Sequence, residues 1–287
     1  IRESPVERGL IWTGSNDGPF HVSRDNGKTW TNVTPKNLPP PRRVQWIEAS
    51  PHRRGSAYYA VYRYLLGDYE PYLFRTDDYG ATWKRLTDGK NGIAIDEPAR
   101  VVREDPRRAG LLYAGTEFGM FISYDNGTRW QSFQLNMPKV PINDIKIHHN
   151  DLVIATQGRS LWILDDLSPV QQFGLPVRPA NAVLAQPAPV AMGGFMLFQS
   201  RDGYRTRQNP NLVGPTVQYY LPTSPDGAVT IDILDAKGAV VNSYNSNAVA
   251  PGGGGRGGGG ARGGGGGAGA QAAGAGAAEP PDPDAGG

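Results

Sequence analysis

The sequence predicts an all-β fold built from repeated blades. Three observations carry that prediction. A Ser/Thr-x-Asp-x-Gly-x-x-Trp pattern occurs three times, at residues 23–30, 76–83 and 123–130; its aspartates are 53 and 47 residues apart; and short apolar runs bounded by Pro and Gly fill the intervals. A period of roughly 40–50 residues with a Trp-bearing turn corresponds to one propeller blade per repeat. Runs of this length, bounded in this way, suit buried strands.

Each position of the pattern has a physical task. Asp25, Asp78 and Asp125 accept hydrogen bonds from the backbone of their own turn. Gly27, Gly80 and Gly127 permit a positive φ without steric cost. The hydroxyls of Ser23, Thr76 and Ser123 tie the preceding strand to the turn. Trp30, Trp83 and Trp130 open the next strand and bury apolar area against the neighbouring repeat. The motif therefore reads as a structural clip, and its carboxylates are poor candidates for catalysis.

The repeats extend beyond the clip. Ile1-Arg2-Glu3-Ser4-Pro5 matches Val102-Arg103-Glu104-Asp105-Pro106, and Ile47-Glu48-Ala49-Ser50-Pro51 is a third version. Each leads through a Gly into an apolar run, so these are the first two strands of successive blades. Blade one is expected over 1–34, blade two over 42–87 and blade three over 98–134. A fourth starts near Pro141, with strands at 142–148, 152–156 and 160–164 and no clip. An unclosed stack leaves sheet faces without neighbours. The expectation is therefore a C-terminal part of a larger propeller, completed by upstream sequence or another chain. Residues 1–165 form this part.

From Asp165 the repeat stops. Residues 166–173 suit a helical turn with Ser168 as cap and Pro169 at its first position. Residues 166–215 read as a linker packing on the propeller. Strands at 216–221, 228–234 and 239–244, with a turn at 235–238, resemble the start of an immunoglobulin or fibronectin-III-like β-sandwich in 216–247; such a sandwich needs about seven strands, so it is incomplete. Residues 248–287 are a Gly/Ala/Pro-rich segment expected to be disordered. Arg256 and Arg262 among its glycines are balanced by Glu279, Asp282 and Asp284, which favours a linker over an RNA-binding arm.

The clips resemble the Asp-box (BNR) repeats of sialidases, xyloglucanases and the sortilin propeller. Residues 71–76, 112–119 and 158–166 are most similar to bacterial sortilin-like "BNR glycosyl hydrolase" proteins. The resemblance covers about residues 1–245 and implies a partial Asp-box β-propeller of about four blades. It implies either a secreted or cell-surface propeller that binds a protein or glycan partner, or a glycoside hydrolase. Because one fold hosts many functions, the clips specify fold more than activity.

Composition narrows the classes. There are 29 basic and 27 acidic residues and no Cys. That balance gives no electrostatic case for nucleic acid or a membrane surface, and no apolar run reaches the ~18–20 residues of a membrane span. Without Cys there is neither a disulfide framework nor a thiolate metal site. No cofactor or metal is expected; His148 and His149 would point to opposite faces if both lay on a strand. An extracellular, periplasmic or cell-surface location follows from the resemblance.

In a propeller, the loops between strands two and three and those joining blades share one face. There they would present Asp17, Arg43, Tyr64, Asp68, Tyr69, Glu70, Phe118 and Arg159 as a ligand-binding surface. Glycoside hydrolysis needs two carboxyl groups flanking the scissile bond, and Asp96, Glu97 and Glu117 are the catalytic candidates.

Overall fold

The computed structural model describes residues 1–40, 42–175, 190–192, 195–199 and 216–247. Three four-stranded antiparallel sheets follow one another along the chain, each in plain meander order. Sheet one holds β1 (Arg2–Glu3), β2 (Ile11–Gly14), β3 (Phe20–Ser23) and β4 (Thr31–Asn32). Sheet two holds β5 (Arg43–Ala49), β6 (Ala57–Tyr62), β7 (Tyr72–Thr76) and β8 (Lys84–Arg85). Sheet three holds β9 (Ala99–Glu104), β10 (Leu112–Thr116), β11 (Met120–Ser123) and β12 (Gln131–Ser132). Sheet four has three strands, β13 (Ile142–His148), β14 (Asp151–Thr156) and β15 (Leu161–Leu164).

Strand alternation explains the stacking. Successive side chains of a strand point to opposite faces. Tyr59 and Val61 of β6 enter an apolar cluster shared with Trp12, Phe20 and Val22 of sheet one. Tyr58 and Ala60 enter a different cluster with Val102, Leu112 and Ala114 of sheet three. Val101 and Tyr113 face a third cluster with Ile142, Ile145 and Ile154 of sheet four. Sheets two and three are thus buried on both faces, which makes β6 and β10 continuously apolar instead of alternating. This is the blade stack of a β-propeller.

The clip holds each outer hairpin. In sheet one, Ser23 Oγ donates to Asp25 Oδ1 at 2.8 Å and accepts from the Gly27 amide at 2.8 Å. Asp25 accepts from the Thr29 amide at 2.9 Å and hydroxyl at 2.6 Å. The second copy repeats this with Thr76, Asp78, Gly80 and Thr82. In the third, Arg129 stands where the others have Thr, so Asp125 keeps the amide bond at 2.9 Å without the hydroxyl. A further link joins the clip to the β1–β2-type hairpin. The amides of Asn26, Tyr79 and Asn126, all at φ near 60°, donate to the carbonyls of Gly9, Gly55 and Gly110 at 2.9–3.0 Å.

The inner strands are stitched by charge. Arg103 donates to Glu48 of sheet two at 2.5 Å and to Asp144 of sheet four at 3.1 Å, and lies 4.4 Å from the Trp46 ring centroid. Arg2 donates to the Ile47 carbonyl at 3.4 Å. Burial raises the pKa of Glu48, against the pull of Arg103.

Several expectations need correction. Trp30 does not bury itself against a neighbouring repeat: it is 42% exposed and its indole N–H turns back to the Gly27 carbonyl at 3.1 Å. Ser168 does not cap a helix; it begins α1 (Ser168–Gln172), and Asp166, at φ 60°, accepts from the Ser168 amide at 3.1 Å. His148 and His149 do not face opposite ways. His149 has left the strand with φ 48°, and the two rings stack at 4.0 Å.

The segment 216–221 holds one short strand among the described residues. That strand, β18 (Tyr219–Tyr220), pairs with β17 (Phe195–Leu197), which pairs with β16 (Val190–Met192). The part from Pro225 onward is a separate unit whose described residues form one hairpin, β19 (Thr230–Leu234) with β20 (Val240–Asn245). Its turn closes through Asp235, whose carboxylate accepts from the Lys237 and Ala239 amides at 2.8 and 2.9 Å. The glycine-rich segment from 248 onward, with Arg256 and Arg262, lies outside the described residues.

Candidate functional site

Hydrogen bonds between loops define one face of the stack. The Glu117 amide, in the β10–β11 loop, donates to the Pro98 carbonyl ahead of β9 at 3.0 Å. The Gln157 amide, after β14, donates to the Pro141 carbonyl ahead of β13 at 2.9 Å, and the Val44 amide of β5 donates to Ser15, between β2 and β3, at 3.1 Å. The loops between middle strands and those joining sheets therefore lie side by side.

A cavity of about 420 Å³ opens on this face over sheet three, lined by Asp96, Glu97, Phe118, Ser132, Gln134 and Lys139 among others. Gln134 shapes its wall: its carbonyl accepts from the Met120 amide at 3.1 Å, and its amide group donates to Met137 and Pro138 carbonyls at 3.0 and 2.6 Å. Gly119 leaves room for this arrangement, since a Cβ there would lie 2.1 Å from Gln134 Oε1. Phe118, half exposed, offers a ring at the rim. Thr116 Oγ1 donates to Glu97 at 3.0 Å. Burial raises the Glu97 pKa, opposed by that hydrogen bond and reinforced by the neighbouring Asp96 charge. A carboxyl whose pKa is raised by burial beside a second carboxylate is the electrostatic pattern from which acid–base pairs are built.

Glu117 belongs to a different group. It pairs with Arg100 at 2.5 Å and accepts from the Tyr62 hydroxyl at 2.6 Å. Burial, then the Glu117 carboxylate, raises the Tyr62 pKa, so its hydroxyl stays a donor. The Tyr62 ring stacks on Tyr64 at 5.7 Å, and Tyr64 meets Tyr69 edge-on at 5.2 Å. This aromatic run stands on the β6–β7 loop. Asp68 braces that loop through Arg63 at 2.5 Å and Tyr72 at 3.0 Å, and Glu70 through Arg85 at 2.7 Å. Burial disfavours the Asp68 charge, but the Arg63 hydrogen bond and its companions outweigh it and lower the pKa. Asp68 and Glu70 are thus occupied within the loop they shape.

The remaining predicted residues sit elsewhere. Asp17 lies in the exposed turn after β2, Arg43 heads β5, and Arg159 lies in the turn before β15, its carbonyl taking the Trp162 indole N–H at 3.0 Å. The structure gathers Asp96, Glu97 and Phe118 at one cavity and Tyr64 and Tyr69 at one aromatic run. Sequence reasoning missed Tyr62, Arg100 and Gln134. Tyr62 and Arg100 end and begin strands, where period-2 patterning gives no sign that they meet Glu117. The Gln134 and Lys139 side of the wall depends on loop closure.

The stacked sheets define the class: this is a β-propeller protein. No family model matches the chain. Over 118 residues it is 30% identical to the oligoxyloglucan-reducing end-specific xyloglucanase of Emericella nidulans, covering 38% of this chain and 13% of that protein. It is 31% identical over 115 residues to a xyloglucanase of a Paenibacillus species, covering 39% of this chain and 10% of that one. The chain thus matches only about a tenth of the length of either relative. Among solved structures, the GH74 enzyme of Niastella koreensis superposes with a TM-score of 0.44 at 16% identity, covering 55% of this chain and 27% of that chain.

Proposed function

We propose that this chain is part of an Asp-box propeller glycoside hydrolase acting on a neutral polysaccharide of the xyloglucan kind, with the cavity over sheet three as an acid–base subsite. The observation that carries the reading is Glu97, half-buried with a raised pKa, beside Asp96 and the half-exposed Phe118 ring. Two xyloglucanases among its sequence relatives support the substrate class. In this reading Glu97 gives its proton to the glycosidic oxygen as the C–O bond breaks, and Asp96 takes the proton of the incoming water. Phe118 stacks on a sugar ring. Such a polymer is met outside the cell, and the reading carries an extracellular location with it.

Sugar release from xyloglucan, mixed-linkage glucan and sialylated glycans tests this, using the complete protein. Glu97→Gln lowers release from xyloglucan by roughly 100-fold or more, whereas Glu117→Gln, outside the cavity, leaves the pH profile unchanged. Release that survives Glu97→Gln and Asp96→Asn places the chemistry elsewhere and overturns the subsite.

The Tyr62–Tyr64–Tyr69 run favours a second reading, a propeller that binds a glycan or protein ligand without turnover. Retardation in xyloglucan-loaded gels that is lost in Tyr64→Ala and Tyr69→Ala, with no release from any substrate, selects it.

A further inference from the structure

Two interfaces within the chain show how one clip-bearing sheet docks on the sheet before it. The Trp83 indole N–H donates to the Val33 carbonyl of sheet one at 2.6 Å, and that of Trp130 donates to the Leu86 carbonyl of sheet two at 3.0 Å. Val33 and Leu86 hold the same place, just after the fourth strand, where their amides bond Phe20 and Leu73 carbonyls at 2.8 Å. The clip glycines meet the same side chains. A Cβ on Gly80 would lie 2.6 Å from Val33 Cβ, and one on Gly127 would lie 3.1 Å from Leu86 Cδ1.

The first clip has the same internal hydrogen bonds and none of these outer contacts. A Cβ on Gly27 would meet only Trp30 and Ile11 of its own sheet, at 3.8 and 4.0 Å. Trp30 is 42% exposed where Trp130 is 4% exposed. A large aromatic ring held out by a fully formed clip is a docking element without its seat.

We infer that the Trp30 flank of sheet one is the docking face for one further four-stranded, clip-bearing blade. That blade presents a branched apolar side chain and a free backbone carbonyl at the position Val33 and Leu86 occupy. Among the described residues sheet four has three strands and no residue following a fourth, so a second copy of this chain does not supply this through that sheet.

The test uses the chain and an extension of it. In the chain as it stands, Trp30→Ala moves the melting temperature by less than about 2 °C, while Trp130→Ala lowers it by about 6 °C or more. A second form carries a copy of residues 42–101 ahead of Ile1, so that the sheet-two sequence precedes sheet one in the register by which it precedes sheet three. The extension is expected to raise the melting temperature and to shield Trp30 from acrylamide, read as the difference from the same form with Trp30→Ala. Leu86→Asp within the added copy abolishes both gains. Three results would overturn the inference: Trp30→Ala costing as much as Trp130→Ala in the unextended chain, Trp30 staying as accessible in the extended form, or a dimer of the unextended chain that Trp30→Ala dissociates.

Discussion

Within the clip, the hydroxyl is as consequential as the carboxylate. Ser123 Oγ is the partner of the buried Gly127 amide at 2.9 Å, so Ser123→Ala strands a donor. The expected loss is about 1–3 kcal/mol in denaturant unfolding, and Ser123→Thr recovers most of it because Thr76 does the same work in the second copy. Asp25 supplies a pH signature. The Thr29 hydroxyl, then its amide, holds the Asp25 carboxyl down to about 2 from an ordinary 3.8. A depressed folded pKa contributes stability that is full above the unfolded value and vanishes as pH falls through the folded one. Melting temperatures of the parent and Asp25→Asn should therefore differ above pH 4 and converge near pH 2. These local roles were legible from spacing alone, since donor and acceptor lie within four residues. Glu117 was not. Its partners Tyr62 and Arg100 are 55 and 17 residues away; the ion pair needs β9 and β10 side by side in sheet three, and the Tyr62 hydrogen bond needs sheet two stacked on it.

Between elements, stability rests on what the inner strands share. Arg103 makes a salt bridge to Glu48, and it also bonds Asp144 and the Ile145 carbonyl. Arg103→Met leaves the Glu48 carboxylate buried and unpaired, at an expected cost of roughly 3–5 kcal/mol at pH 7. The folded pKa of Glu48 already lies above its ordinary 4.5. For an acid shifted upward, the folded state binds the proton more tightly, so stability falls as pH rises from the unfolded value through the folded one. The Arg103→Met loss should shrink when unfolding is measured near pH 4.5. The loop joining sheets two and three has a steric constraint as well. Gly92 sits at φ 115°, and a Cβ there would lie 1.8 Å from the Trp130 carbonyl oxygen. Gly92→Ala should unseat Trp130, visible as a red shift of indole fluorescence. The apolar runs announced β6 and β10, but their charged companion at Arg103 follows from sheet geometry that a single strand does not display.

Across the whole molecule, burial is uneven. Tyr58, Tyr59, Leu112 and Tyr113 are fully buried between sheets, while every residue of β20 and all but Ile231 of β19 is exposed. A two-stranded hairpin is marginal by itself. Amide hydrogen exchange should therefore be fast across Thr230–Asn245 and slowest in β6 and β10; equal protection of the hairpin would show that it is covered in solution. Three clips, their period and the apolar strands between them determined the all-β blade architecture from sequence, because each clip is a local hydrogen-bonded unit and each strand's burial is written in its own residues. The pairing of β18 with β17, the exposure of Trp30 and the convergence of Glu97, Phe118 and Lys139 on one cavity were decided by tertiary structure. Each depends on which sheet or loop arrives beside it, and contacts between segments distant in the chain leave no periodic trace in either segment.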